Sequence, residues 1–191
     1  MRILKSLSFL RIVGVIILGL EIAGFYYFEP SILLRILVIL LGLIGIWQLN
    51  HLPETLILVI LYLGLYDFYN VRYGLAIPMA LILLGVWALA IFLFYFQSRI
   101  HKYEESTSQD ILLVYLFTLS LVVLEIFLTM SLWPVDPKTK SLVIVIIYYL
   151  ASRLISLNIY RVLNLKRALG FVLVSLLILG GVITLSWYLG F

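Results

Sequence analysis

Seven long apolar stretches separated by short polar connections make up most of the chain. Each run has about 16 to 24 residues, and about 20 residues in a helix cross roughly 30 Å of hydrocarbon. Transmembrane β-strands would alternate apolar and polar residues, and no such alternation is present. The predicted helices are Phe9–Phe28, Ser31–Leu49, Glu54–Tyr69, Gly74–Gln97, Asp110–Trp133, Ser141–Asn158 and Ala168–Leu189.

Two of these helices admit another interpretation. The third has 16 residues and carries Asp67 near its end, so half of a re-entrant hairpin is the alternative to a full span. The first has a basic start, as a cleaved signal peptide has. Because Glu21 interrupts its apolar stretch and EIAGFYY is a poor cleavage site, we expect a retained span.

The positions of Lys and Arg predict the orientation. With seven spans and a cytoplasmic N-terminus, eight basic residues lie inside and three outside, as the positive-inside rule requires. The inner residues are Arg2, Lys5, Arg11, Arg99, Lys102, Arg161, Lys166 and Arg167, and the outer ones are Arg72, Lys138 and Lys140. A third helix that failed to cross would erase this bias. We therefore predict a multi-pass plasma-membrane protein with its C-terminus outside.

Composition agrees with an all-α, polytopic membrane protein. Hydrophobic residues make up 65% of the 191-residue chain and charged residues 12%, whereas about a quarter is usual in soluble domains. The net charge of +4 reflects topology and attraction to anionic lipid rather than nucleic-acid binding. The absence of cysteine excludes disulfides and thiol chemistry.

The sequence contains the signs of a weak internal repeat. LEI occurs at residues 20–22 and 124–126, and a proline follows each glutamate nine residues later. An acid-proline pair then precedes the next helix, Glu29-Pro30 and Asp136-Pro137. This pattern predicts a single helical bundle in which residues 1–70 and 108–191 are parallel three-helix repeats and residues 74–97 are a linker helix. The alternative is chance, because Leu and Ile are so common here.

Four charged residues lie well away from the ends of the predicted spans or, for Arg35, nearer the outer boundary: Glu21, Glu125, Arg153 and Arg35. Each costs about 2.5 to 3.5 kcal/mol near the bilayer centre unless it is paired, protonated or hydrated. Counting along the helices places Glu125 and Arg153 within about 6 to 7 Å in depth, a gap that an arginine side chain spans. The same counting brings Arg35 toward Glu21. We therefore expect two structural ion pairs, Glu125–Arg153 and Glu21–Arg35.

A functional interpretation of these charges is a solute, proton or cation site at the midplane between the two repeats. Polar residues continue the faces on which they lie, including Thr129 one turn after Glu125 and Tyr149 one turn before Arg153. The candidate substrate-binding residues are Glu21, Glu125, Thr129, Tyr149 and Arg153.

Several activities lack their residues. The last helix has no lysine for a retinal Schiff base, and His51 and His101 lie in predicted inner loops. The metalloprotease and serine-hydrolase motifs H-E-x-x-H and G-x-S-x-G are absent. We therefore predict no catalytic residues, no metal and no cofactor.

Two partial resemblances to known families exist. The three-one-three arrangement is similar in topology to the SWEET sugar porters, but the Pro-Gln pair typical of that family is absent. The segment HLPETL, residues 51–56, resembles the Pro-Glu segment of the small membrane lycopene cyclases, but the second glutamate is missing. Neither likeness identifies a family.

Three functions follow from these observations. The first is a non-enzymatic structural or interaction component of the plasma membrane, whose partners are the lipid bilayer and other membrane subunits. The second is a small solute or ion-coupled carrier, or its membrane subunit, with the midplane site. The third is an enzyme that modifies a lipid or isoprenoid, with Glu54 or the buried acids as proton donors. Matched charges and the lack of a catalytic constellation favour the first.

Overall fold

Helices form all the regular structure in the described part of the chain. The computed structural model describes residues 2–47, 53–75, 77–100, 108–160 and 165–189, and it contains no strand within these ranges. The helices are α1 (Arg2–Phe28), α2 (Ile32–Trp47), α3 (Pro53–Leu75), α4 (Met79–Ile100), α5 (Gln109–Ser131), α6 (Pro137–Ile159) and α7 (Leu165–Leu189). The predicted all-helical fold is confirmed.

Five stretches in the described residues are long and apolar enough to cross a membrane. They are Leu10–Phe28, Glu54–Leu75, Met79–Ile100, Gln109–Ser131 and Pro137–Ile159. Two further apolar stretches are shorter, Ile32–Ile44 in α2 and Ala168–Val182 in α7. Large apolar side chains also cover the outer surface, among them Leu20 at 69% and Leu177 at 76% exposure. Such a surface fits hydrocarbon rather than water.

The third helix is longer than the sequence pattern predicts. α3 continues past Tyr69 to Leu75 and has 23 residues, which corresponds to about 35 Å. Asn70 does not end it, because its side-chain amide donates a 2.8 Å hydrogen bond to the Tyr66 carbonyl. A helix of this length is long enough to cross a membrane, so its length no longer favours the re-entrant hairpin.

α3 is also the centre of the bundle. It packs against α1, α2, α4 and α6, and Ile60, Leu61 and Leu65 on it are fully buried. α4 also packs on α5, α5 on α6, and α6 on α7. α1 packs directly on α3, whereas no comparably extensive contact joins α5 to α7 in the described residues. The packing therefore does not confirm the predicted repeat.

The two acid-proline pairs begin their helices differently. Asp136 caps α6 by accepting hydrogen bonds from the backbone N–H groups of Lys138 (3.0 Å) and Thr139 (3.2 Å), and proline follows it, as expected of a helix start. Pro30 instead precedes the start of α2. There Ser31 is the capping residue, and its hydroxyl accepts from the N–H of Leu34 at 3.4 Å.

Candidate functional site

A buried glutamate organises one end of the bundle, called here the Glu29 end. Glu29 is fully buried, and its Oε2 lies 2.9 Å from the Lys138 ammonium. The Tyr66 hydroxyl donates to the same carboxylate at 3.2 Å, and so does the Ser31 N–H at 3.2 Å. These contacts connect α3 and α6 to the segment between α1 and α2. The negative charge is thus matched and hydrogen-bonded, as a buried carboxylate requires.

A buried lysine lies among aromatic rings near the same end. Lys140 is only 3% exposed, and its ammonium donates to the Tyr73 hydroxyl at 3.1 Å. It also lies 5.4 Å from the Tyr69 ring centre and 5.2 Å from that of Tyr73, within the range of cation–π attraction. The Tyr69 hydroxyl in turn donates to the Phe127 carbonyl at 3.1 Å. This cluster ties α3 to α5 and α6.

Another ion pair lies toward the opposite end, called the Glu54 end. Arg153 Nη1 is 3.2 Å from Glu54 Oε1, and about a third of each side chain is exposed, 37% and 34%. A cavity of about 10 Å³ beside the pair has room for roughly one water. Tyr149 and Leu58 line this cavity and also a neighbouring apolar groove of about 570 Å³ between α3, α6 and α7.

The middle of the bundle contains two acids without bases. Glu21 on α1 and Asp67 on α3 line one pocket of about 400 Å³. Glu21 is 9% exposed, and its Oε2 and the Asp67 Oδ1 are buried without a hydrogen-bond partner in the described residues. The two carboxylates are close enough to repel each other electrostatically when both are ionised.

Glycines on the facing helices make room for both acids. The Glu21 carboxylate lies where a Cβ at Gly64 of α3 would be, and the Asp67 carboxylate lies where a Cβ at Gly24 of α1 would be. Each acid is three residues from the glycine on its own helix, so the contact is reciprocal between two parallel helices. Substitution of either glycine displaces a carboxylate.

The structure does not form the two predicted ion pairs. Glu125 is exposed on α5, and Arg153 contacts Glu54 instead. Arg35 does not reach Glu21: its Nε donates to the Glu29 carbonyl, and its guanidinium lies 4.6 Å from the Tyr26 ring centre. The reason is the same in both cases. Counting along a helix estimates depth, but the direction in which a side chain points depends on how the helices pack.

The five predicted binding residues are distributed over three places. Glu21 lies in the α1–α3 pocket, and Tyr149 and Arg153 lie at the Glu54 end. Glu125 and Thr129 are on the exposed face of α5, where the Thr129 hydroxyl donates to the Glu125 carbonyl at 2.9 Å. The predicted single midplane site is therefore not assembled within one chain. His51 and His101 lie outside the described residues.

Asp67 is the functional candidate that the sequence pattern missed. The hydropathy pattern places Asp67 near the end of an apolar stretch. However, Gly64-x-x-Asp67 has the same spacing as Glu21-x-x-Gly24 with the acid and the glycine in the opposite order. This reciprocal acid and glycine spacing is a signal that was present in the sequence. In the described residues no group of three or more His, Cys, Asp or Glu side chains is arranged to hold a metal ion.

Comparison of the chain with protein-family models, curated proteins and solved structures found no match. The likeness to SWEET porters stays one of helix arrangement. The likeness to lycopene cyclases stays one of a short segment, of which residues 51 and 52 lie outside the described residues.

Gly24→Ala tests the reciprocal contact. The added methyl group meets the Asp67 carboxylate, so we expect a loss of about 1 to 3 kcal/mol in unfolding free energy. Gly14→Ala is the matched control on α1, because nothing lies within 4 Å of a Cβ there. The measurement is SDS-induced unfolding in bicelles. In an Asp67→Ala background, Gly24→Ala should lose most of its effect; an unchanged penalty would contradict the contact.

Lys138→Met tests the ion pair at the Glu29 end. Because Glu29 is buried while Lys138 is 41% exposed, we expect a cost of about 1 to 3 kcal/mol, between the values for surface and buried pairs. Lys138→Arg should retain most of the stability. The double variant Glu29→Gln with Lys138→Met should cost less than the two single changes added together. Strict additivity would show that the pair contributes nothing.

Proposed function

We propose that the protein is a non-enzymatic subunit of a plasma-membrane assembly. In this proposal all seven helices span the membrane, with the N-terminus inside and the Glu29 end outside. The support for α2 and α7 as spans is their apolar exposed surface, which includes Leu33 at 74% and Leu177 at 76% exposure. The charge bias of the connections supports the orientation.

One observation carries the proposal of a partner: Glu125 is exposed on α5, in a stretch of residues 111–131 that contains no other charged side chain. The same face presents Leu121 at 48% and Leu128 at 38% exposure, together with the exposed Thr118 and Thr129. A carboxylate that faces acyl chains costs about 2.5 to 3.5 kcal/mol. A neighbouring transmembrane helix removes that cost by covering the acid.

The exposed carboxylate on this face of α5 indicates which kind of partner helix would bind there. A carboxylate is best matched by a basic side chain near the middle of the neighbouring helix. Within the described residues Arg35 Nε donates to the Glu29 backbone carbonyl, and Arg153 pairs with the Glu54 carboxylate. We therefore propose a different membrane protein as the partner, one with a transmembrane Lys or Arg.

The absence of cysteine makes the test direct. Leu128→Cys, one turn from Glu125, is labelled with a maleimide-benzophenone reagent, which photo-cross-links to C–H bonds of any neighbouring protein, in the membranes of the cells that encode the protein. We expect an adduct with a second protein that disappears when Glu125→Leu is added. Leu177→Cys, on the exposed face of α7, is the matched control and should give no such adduct.

Charge exchange then decides whether the contact is an ion pair. Glu125→Lys should abolish the adduct, and replacement of the partner's basic residue by Glu should restore it. An adduct of twice the 21.9 kDa chain mass would show self-association and overturn the proposed partner. Two outcomes would overturn the interface itself: equal cross-linking at Leu128→Cys and Leu177→Cys, or cross-linking at Leu128→Cys that Glu125→Leu does not reduce.

A carrier is the second candidate, and a different observation favours it. The Glu21–Asp67 pocket is an acidic site within the bundle that no ion pair neutralises in the described residues. An ion pair that only joins two helices does not require a pocket beside it. A binding site for a charged ligand requires both a pocket and unpaired charges, and this pocket has both. The enzyme hypothesis has weaker support, because Glu54 beside the apolar groove is engaged by Arg153.

A further inference from the structure

The pocket between α1, α3 and α4 has the size of a small-molecule site. Its volume of about 400 Å³ lies within the range of about 300 to 1,000 Å³ that is usual for ligand pockets. Phe68, Val71 and Ile82 form apolar walls. Leu20 and Leu81, which are 69% and 60% exposed, lie at its lipid-facing side, so a ligand enters from the membrane.

The polar part of the pocket is entirely acidic. Glu21 and Asp67 are the only ionisable side chains among its described lining residues. Glu21 is more than nine-tenths buried, and each acid has an oxygen without a hydrogen-bond partner in the described residues. Buried polar atoms are rarely left unpaired in folded proteins. The unsatisfied oxygens can therefore accept a hydrogen bond or a positive charge from a group bound beside them.

We propose that this pocket binds a lipophilic organic cation, with its positive charge between Glu21 and Asp67 and its apolar groups against the α3 and α4 walls. The ring of Phe68 adds a cation–π surface. The two carboxylates repel anionic lipid headgroups, and they supply at most four of the six or more oxygen ligands that Ca²⁺ or Mg²⁺ takes, in a pocket whose other described lining side chains are apolar. A proton alone leaves most of the volume empty.

The reciprocal glycines explain why Glu21 and Asp67 remain available to a bound cation. Because Gly24 and Gly64 accept the carboxylates against the helix backbones, the two acids lie beside the pocket, and no base among the described residues pairs with them. This inference is independent of the α5 interface, which lies on another helix.

Binding is measured on the purified full chain in nanodiscs with radiolabelled tetraphenylphosphonium, after subtraction of binding to empty nanodiscs. Tetraphenylborate, a hydrophobic ion of the same shape and opposite charge, is the matched probe. We expect saturable binding of one tetraphenylphosphonium per chain and no saturable binding of tetraphenylborate.

Variants of the acids test the role of each side chain. Glu21→Gln and Asp67→Asn should each weaken the Kd at least tenfold, because each removes one negative charge. Asp110→Asn, at an exposed acid in the first turn of α5, should bind as the unmodified chain does.

Val71→Phe keeps both acids and fills the pocket, so it should also weaken binding. It keeps the proposal testable if an acid variant fails to fold. Equal binding of the two probes, or binding that neither the acid variants nor Val71→Phe change, would overturn the proposal.

Discussion

The burial of α3 by four neighbouring helices is the constraint on which the rest of the bundle depends. α3 carries Glu54, Asp67 and three tyrosines that take part in hydrogen bonds, which makes it unsuited to contact with lipid. The central position buries Tyr66 and Tyr69 and gives Glu54 and Asp67 protein neighbours on part of their surfaces. The more apolar helices form the outer layer because contact with hydrocarbon costs their side chains no free energy.

Charge is distributed along the bundle in a consistent way. Near the two ends, acids and bases meet: Glu29 with Lys138 and Glu54 with Arg153. Between these levels Glu21, Asp67 and Glu125 form no ion pair with a basic side chain in the part of the chain that the structure describes. Ion pairs near the ends fasten helices at modest desolvation cost, whereas uncompensated acids in the middle are costly. The proposals of a partner for α5 and of a cation for the pocket both follow from that difference.

Hydropathy and segment length were enough to predict the helices, because each depends on local composition alone. Their ends were less accurate: α3 passes Tyr69 because Asp67 lies against Gly24 and Asn70 bonds to the backbone, and neither contact is a property of the local sequence. The acid-proline pair at residues 136 and 137 was recognised as a helix start because such signals are local, but the predicted helix began only at Ser141. The Glu125–Arg153 pair was predicted wrongly, since the direction of each side chain is determined by packing between helices.

The two LEI segments have the same sequence, yet Glu21 is buried and Glu125 is exposed. Glu21 is followed after three residues by Gly24, which admits the Asp67 carboxylate, whereas Glu125 is followed at the same distance by Leu128. A leucine at that position leaves no gap for a carboxylate against the α5 backbone. Leu-Asn occurs at residues 49–50 before α3 and at 163–164 before α7; counted from these pairs, Ile178 and Gly181 of α7 correspond in sequence to Gly64 and Asp67 of α3, so α7 has neither a glycine for a glutamate nor a second acid there. α5 and α7 therefore cannot repeat the α1–α3 contact, and Glu125 remains on the outer surface, where a helix from another protein can reach it.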